Sequence, residues 1–325
     1  MKVLITSKLP KEIVSLIERE HEIEINELEE PMKRDDLVRL IRDKDGLLCN
    51  ITDRIDEELL EAAPKLRMIA NYGVGFDHID MAAASRRGIP VSNTPGVLTD
   101  ATAELAFTLI LAVARRVVEG DRRTRCGEFR FWAPLLFLGR QVTGKTLGII
   151  GFGQIGRAVA RRALAFDMKV LYHGRSRLDP AIEQKYSSEY RELDDLLKES
   201  DFVSLHVPLT ERTRHLIGIR ELNLMKPSAY LINTSRGPVV NESDLVRALR
   251  EGKIAGAGLD VYENEPELAS GLIDLDNAVL LPHAGSATLE TRTRMTEMAA
   301  ENLLLGLNGK IPPNCLNCSE ISSKI

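Results

Sequence analysis

Short, densely apolar runs alternate with helical periodicity along almost the whole chain. The first series is KVLIT, EIEIN, GLLCN, RMIANYG and IPVSN. Segments such as KEIVSLIERE and DEELLEAAP lie between these runs, with apolar residues recurring at helical spacing. A second series follows: TLGIIGFG, KVLYHG, FVSLHVP, AYLINTS, IAGAGLDV and AVLLPHAG. Strands covered on both faces read as continuous apolar runs, and strands alternating with helices predict parallel sheets in an α/β protein. The two series are separated by one long apolar helix, TDATAELAFTLILAVARR, over residues 99–116. The tail ETRTRMTEMAAENLLLGLNG is again helical, with too few strands after it for a third domain. It is expected to cross back and complete the first domain.

Composition sharpens this picture only in places. A length of 325 residues suits two domains, and 44% hydrophobic residues can fill two large cores. The net charge of −5 and pI near 5.8 argue against a general binder of nucleic acid or anionic membrane, which would show a basic face. The Arg-rich run over residues 115–130 has acidic residues interleaved and reads as a solvated helix face. MKVLITSKLP reads as a first strand rather than a signal peptide. No apolar stretch approaches the ~20 residues of a membrane span. The longest, LAFTLILAVA, reads as a buried helix. Cys49, Cys126, Cys315 and Cys318 do not make a disulfide scaffold, so a reducing cytoplasm is expected. The CLNC spacing at Cys315 and Cys318 lacks a second pair or a nearby His. It reads as coincidence, and no metal site is expected.

The strongest local signal is Gly151-x-Gly153-x-x-Gly156. It follows an apolar strand, opens a helix and precedes a second strand, the context a dinucleotide site requires. Gly151 permits the tight turn, Gly153 lets backbone approach a pyrophosphate, and Gly156 lets helix pack on strand. The helix N-terminus supplies amide donors and a positive dipole. Ligands of such sheets sit over the carboxyl ends of the strands. There the later strands place His206, Arg236, Asp260, Glu263, Glu265 and His283. Arg236 follows the apolar run AYLI, where a guanidinium that cannot shed its charge is costly to bury. It is therefore expected to face an anionic ligand, and its planar fork suits a carboxylate.

These residues carry a resemblance. GFGQIGRAVARR, NTSRGPVVNESDLVRAL, GLDVYENEP and LLPHAGSAT, with NYGVGFDHID and VSNTPGVLTDATAELAF upstream, resemble the signature segments of the D-isomer-specific 2-hydroxyacid dehydrogenases. FRFWAPLLFLG and PHAGSATLETR are most similar to glyoxylate/hydroxypyruvate reductases. The resemblance implies two Rossmann-like domains, each a doubly wound parallel sheet, with a cleft between them. Residues 1–97 plus 286–325 would form a flavodoxin-like substrate domain and 98–285 the dinucleotide-binding domain. It further implies a homodimer joined through the helix of residues 99–116, and a small 2-oxo acid as substrate.

By the same resemblance, hydride passes between the nicotinamide and the α-carbon of the 2-oxo acid. His283 is the general acid, Glu265 its carboxylate partner, and Arg236 binds the substrate carboxylate or carbonyl oxygen. The amides of Val74 and Gly75 cradle the carboxylate across the cleft, and the loop carrying Trp132 closes over substrate from the partner subunit. The cofactor pocket comprises Gly151, Gly153, Gln154, Ile155, Gly156, Arg175, Ser176, Arg177, Val207, Pro208, Thr234, Ser235, Arg236, Asp260, His283 and Gly285. Asp260 would support the nicotinamide amide or cap a turn. His206 lacks an acidic partner nearby in sequence and reads as pocket lining or packing, and His173 and His215 as surface or adenosine-side residues.

Cofactor choice is read from the second strand of the turn. The position that holds an acid in NAD-preferring proteins is Gly174, followed by Arg175, Ser176 and Arg177. Loss of the repelling acid and gain of two guanidiniums point to a pocket for a 2′-phosphate, hence NADP(H) over NAD(H), with NAD(H) still possible. Two alternatives stand beside this reading. One is a related dehydrogenase for phosphoglycerate, D-lactate or phosphite. The other is a non-catalytic dinucleotide sensor, which would be expected to carry partner-binding extensions.

Overall fold

The structure, a computed structural model, describes residues 1–321. Its chain divides into two compact units, residues 1–98 with the chain from 287 onward, and residues 99–286.

The first unit holds five parallel strands: β1 Lys2–Ile5, β2 Glu22–Ile25, β3 Gly46–Asn50, β4 Met68–Tyr72 and β5 Val91–Ser92. They lie in the order β2-β1-β3-β4-β5, the flavodoxin-like arrangement. Successive side chains point to opposite faces, so one apolar run feeds two cores. Leu4, Leu47, Cys49 and Ile69 enter one cluster, and Val3, Ile5, Leu48, Met68 and Ala70 the other. The second cluster is closed by the tail helix Leu289–Leu307 through Ala299, Ala300, Leu303 and Leu307. The tail helix therefore completes the first unit. Its start is fixed by Thr288, whose hydroxyl accepts the Thr291 amide.

The second unit holds seven parallel strands: β6 Thr146–Ile150, β7 Lys169–His173, β8 Ser188–Tyr190, β9 Phe202–Leu205, β10 Tyr230–Asn233, β11 Gly256–Leu259 and β12 Ala278–Leu280. Their order, β12-β11-β10-β9-β6-β7-β8, is the dinucleotide-fold order with one strand added at the β12 edge. Strand β8 is absent from the sequence-based series. Three residues, SEY, on a sheet edge carry too little apolar signal to be seen.

Helix Thr99–Ala114 lies against β10 and β11. Its Ala106, Phe107, Leu109, Ile110 and Val113 are buried in the core of its own unit. A group of exposed apolar side chains follows the helix: Val117, Val118, Phe129, Phe131, Trp132, Leu135, Leu136 and Leu138. The Arg-rich run is ion-paired rather than merely solvated. Arg116 and Arg123 both meet the buried Glu119, and Arg122 meets Asp276.

One sequence reading is corrected. Cys315 and Cys318 are joined by a disulfide. Their Cα atoms lie 5.8 Å apart, well inside bridging range. Leu316 and Asn317, between them, dock this segment on β5 through the Val91 carbonyl and amide. Cys49 and Cys126 are free thiols. Among the described residues no helix is long and apolar enough to cross a membrane.

Candidate active site

The Gly-rich turn joins β6 to helix Gln154–Leu164. Gly151 has φ 95°, and a Cβ there would overlap the His206 carbonyl at the end of β9. Only glycine satisfies both demands. A Cβ on Gly156 would meet the Gly151 carbonyl, so this glycine sets how closely helix and turn pack. Gly153 is the helix N-cap, with no side chain capping the first amides and no atom within 4 Å of where its Cβ would lie. Open space beside uncapped helix amides suits a pyrophosphate, so these residues fit the dinucleotide. Gln154 and Ile155 open that helix. Val207 and Pro208 follow β9, and Thr234 and Ser235 follow β10, all at the carboxyl edge of the sheet.

At the end of β7 the structure separates the two arginines. Arg177 makes a two-pronged ion pair with Glu183, Nε to Oε1 and a terminal nitrogen to Oε2, both 2.9 Å. Glu183 also accepts the Tyr172 hydroxyl at 2.8 Å. Arg177 is thus drawn back onto the helix after it. Arg175 and Ser176 are exposed, and Arg175 makes no ion pair among the described residues. Gly174 leaves no acid at the strand end.

The carboxyl edge of β10, β11 and β12 assembles the charged cluster. Asn233 ends β10 and shapes the next turn. Its Oδ1 accepts the Ser235 amide and hydroxyl, and its Nδ2 donates to the Arg236 carbonyl at 2.9 Å. Arg236 is half-buried and donates to the Ser235 carbonyl. Gly237 lets this loop touch the next, because a Cβ there would overlap the Tyr262 carbonyl. From the loop after β11, Glu265 accepts the Tyr262 amide at 2.9 Å through Oε1. Its Oε2 lies 2.8 Å from His283 Nδ1. Burial pushes the Glu265 carboxyl up, but the hydrogen bond and charge of His283, the Tyr262 amide and the Arg236 charge outweigh it. Glu265 is therefore held below its ordinary range and stays ionised near neutrality.

His283 adopts a left-handed backbone, φ 54°, after β12. Asp260 holds its neighbour, accepting the Ala284 amide at 2.7 Å. Asp260 is fully buried, and that burial pushes its carboxyl up. The structure thus gives Asp260 the turn-capping role, beside Gly285. With Nδ1 on Glu265, the Nε2 edge of His283 is left for a substrate. His206 cannot substitute. It pairs with the Ser204 hydroxyl at 2.9 Å, and burial pushes it down to about 4, so its ring is neutral at physiological pH.

In the first unit, Val74 and Gly75 lie on the loop after β4. Asn71 Nδ2 donates to the Gly73 and Gly75 carbonyls, at 3.2 and 2.8 Å, and Asn93 Nδ2 to the Val74 carbonyl at 2.8 Å. Three successive carbonyls are turned onto side-chain amides and the Gly73 amide bonds the Asn71 carbonyl, which leaves the Val74 and Gly75 N–H groups for an anion. The sequence reading missed both asparagines. Their only signal is an amide inside one apolar strand and another just beyond its neighbour. Trp132 joins none of these clusters, standing 79% exposed in an irregular stretch. His173 bonds the Arg191 carbonyl through Nδ1, and His215 meets Glu263.

Residues 107–285 match the D-isomer specific 2-hydroxyacid dehydrogenase, NAD binding domain family. The chain is 53% identical to a glyoxylate reductase of Thermococcus litoralis over 326 residues, covering 99% of this chain and 98% of that one. It superposes on a protein of Thermus thermophilus with TM-score 0.91 and 46% identity, covering 97% of this chain and all of that one. It also superposes on an NADPH-dependent glyoxylate/hydroxypyruvate reductase of Sinorhizobium meliloti, in complex with NADP and malonate. There the TM-score is 0.84 with 31% identity, covering 98% of this chain and 97% of that one.

Proposed function

This chain belongs to the D-isomer specific 2-hydroxyacid dehydrogenases, and from that premise we propose that it reduces glyoxylate and hydroxypyruvate, with NADPH preferred to NADH. The observation that carries the chemistry is the Glu265–His283 pair beside the Arg236 charge, at the same sheet edge as the uncapped Gly-rich turn. The nicotinamide, when bound, supplies a hydride to the α-carbon of the oxo acid. The carbonyl oxygen must then take a proton. His283 donates it from Nε2, and the ionised Glu265 fixes the ring through Nδ1. Arg236 holds the substrate carboxylate through its fork, and the amides of Val74 and Gly75 are the second carboxylate-binding element in this reading.

For the cofactor, Gly174 removes the acid that would repel a 2′-phosphate, and Arg175 with Ser176 supplies donors. Because Arg177 is held by Glu183, Arg175 is the arginine that contributes most to the preference. Arg175→Ala is expected to lower kcat/KM with NADPH roughly tenfold, the loss of one charge-assisted hydrogen bond. NADH kinetics should stay near wild type, and Arg177→Ala should discriminate less. Since Arg175 is exposed, the NADPH preference should shrink as salt rises. A turnover panel of glyoxylate, hydroxypyruvate, pyruvate and phosphohydroxypyruvate, each with both cofactors, tests the reading. Preference for phosphohydroxypyruvate, or for NADH, would contradict it.

We further propose a homodimer joined through the helix of residues 99–116, which also covers exposed apolar side chains of residues 117–138, with Trp132 reaching the partner's site. A monomer in sedimentation at micromolar concentration would contradict that.

A further inference from the structure

Glu242 opens helix Glu242–Arg250 and is only 4% exposed. An acidic residue at a helix start serves that helix's own amides or points to water. Glu242 does neither, since the helix is capped by Asn241, which accepts the Asp244 amide. Its carboxylate reaches across to the segment after β11. Oε1 accepts the Glu263 amide at 2.6 Å and Oε2 the Ala269 amide at 3.3 Å. Those two amides stand on either side of Glu265 in the chain. Glu263 returns the contact. Its Oε2 accepts the Glu242 amide at 3.3 Å, and its Oε1 lies 2.5 Å from His215 Nε2. His215 in turn donates its backbone amide to the Pro238 carbonyl, two residues past Arg236.

The result is a closed bracket of hydrogen bonds. It ties the loop that carries Arg236 to the loop that carries Glu265, where the Gly237 backbone already lies against Tyr262. Holding a carboxylate there is unfavourable. Burial pushes Glu242 up, and the charges of Glu263 and Glu265 push the same way, against the pull of the two amides. An apolar side chain would fill the space without that penalty but would offer those amides no acceptor.

We infer that Glu242 is a positioning residue for the reaction: clasping both flanks of Glu265, it sets where that carboxylate meets His283 and how Arg236 stands to both. The inference rests on the reading that Glu265 orients His283. It adds that the alignment is imposed from a buried acid outside the site.

The test is a double-mutant cycle on the intact enzyme, with kcat, KM for glyoxylate and NADPH affinity measured for wild type, Glu242→Gln, Glu265→Gln and the double variant. Glutamine preserves size, but its amide group faces one of the two donors, so one clasp is lost. Glu242→Gln is expected to lower kcat about tenfold, the effect of a sub-ångström misplacement, while NADPH affinity holds. In the Glu265→Gln background the same change should add less than about twofold, because its effect passes through Glu265. Wild-type kcat in Glu242→Gln, or a full additive loss in the double variant, overturns the inference while leaving the role of Glu265 intact. Wild-type kcat in Glu265→Gln would instead remove the reading on which it rests, and the inference with it. Glu263→Ala, at a partly exposed position, guards against misfolding of the buried variant. It breaks the return bond and the His215 contact, and it should give a smaller loss that also disappears in the Glu265→Gln background.

Discussion

His283→Ala is expected to lower reduction of glyoxylate by ~10²-fold or more, the usual contribution of a positioned general acid. Cofactor affinity should be largely kept, because the Gly-rich turn that fits the pyrophosphate lies on other strands of the sheet. Unchanged turnover would remove His283 from the mechanism. Glu265 is held ionised by the hydrogen bond and charge of His283 and fixes that ring through Nδ1. Glu265→Gln keeps the size of the side chain but removes its charge, and it should lower kcat for glyoxylate while NADPH affinity holds. Wild-type kcat in that variant would leave Glu265 without a role in the reaction.

Arg236→Lys should be almost as damaging despite conserving charge. An ammonium is a point donor, whereas the guanidinium offers a planar fork matched to a carboxylate. Losing one charge-assisted hydrogen bond, about 1.5–3 kcal/mol, lowers kcat/KM for glyoxylate roughly 10- to 150-fold. Steady-state kinetics should show a raised KM together with a lowered kcat. Wild-type values would mean that the carboxylate is held by the Val74–Gly75 loop alone.

Much of this was legible in the chain itself. The buried parallel strands are unbroken apolar runs, and the Gly-rich turn keeps its spacing because each glycine answers a separate steric demand. Arg236, Glu265 and His283 stand among six polar residues that end apolar segments at one sheet edge, and the family resemblance, not the pattern, picks them out. What the sequence could not show depends on partners brought in by packing. Arg177 reads as a phosphate ligand until Glu183, six residues on, is seen to claim it. His206 and His283 both end strands; the lack of an acidic partner sets the first apart in sequence, and its contact with Ser204 and its burial do so in the structure. Asn71 and Asn93 act through carbonyls of a loop they do not adjoin in any pattern. Cys315 and Cys318 meet on a segment that packing docks on β5.

The central claim is that this site delivers a hydride and a proton to the carbonyl of a small 2-oxo acid with D stereochemistry. Glycolate is achiral and cannot report it, but hydroxypyruvate gives glycerate, which can. Purified protein should oxidise NADPH in proportion to hydroxypyruvate consumed, and the glycerate formed should be the D isomer alone. L-glycerate, a racemate, or no NADPH oxidation would contradict the account.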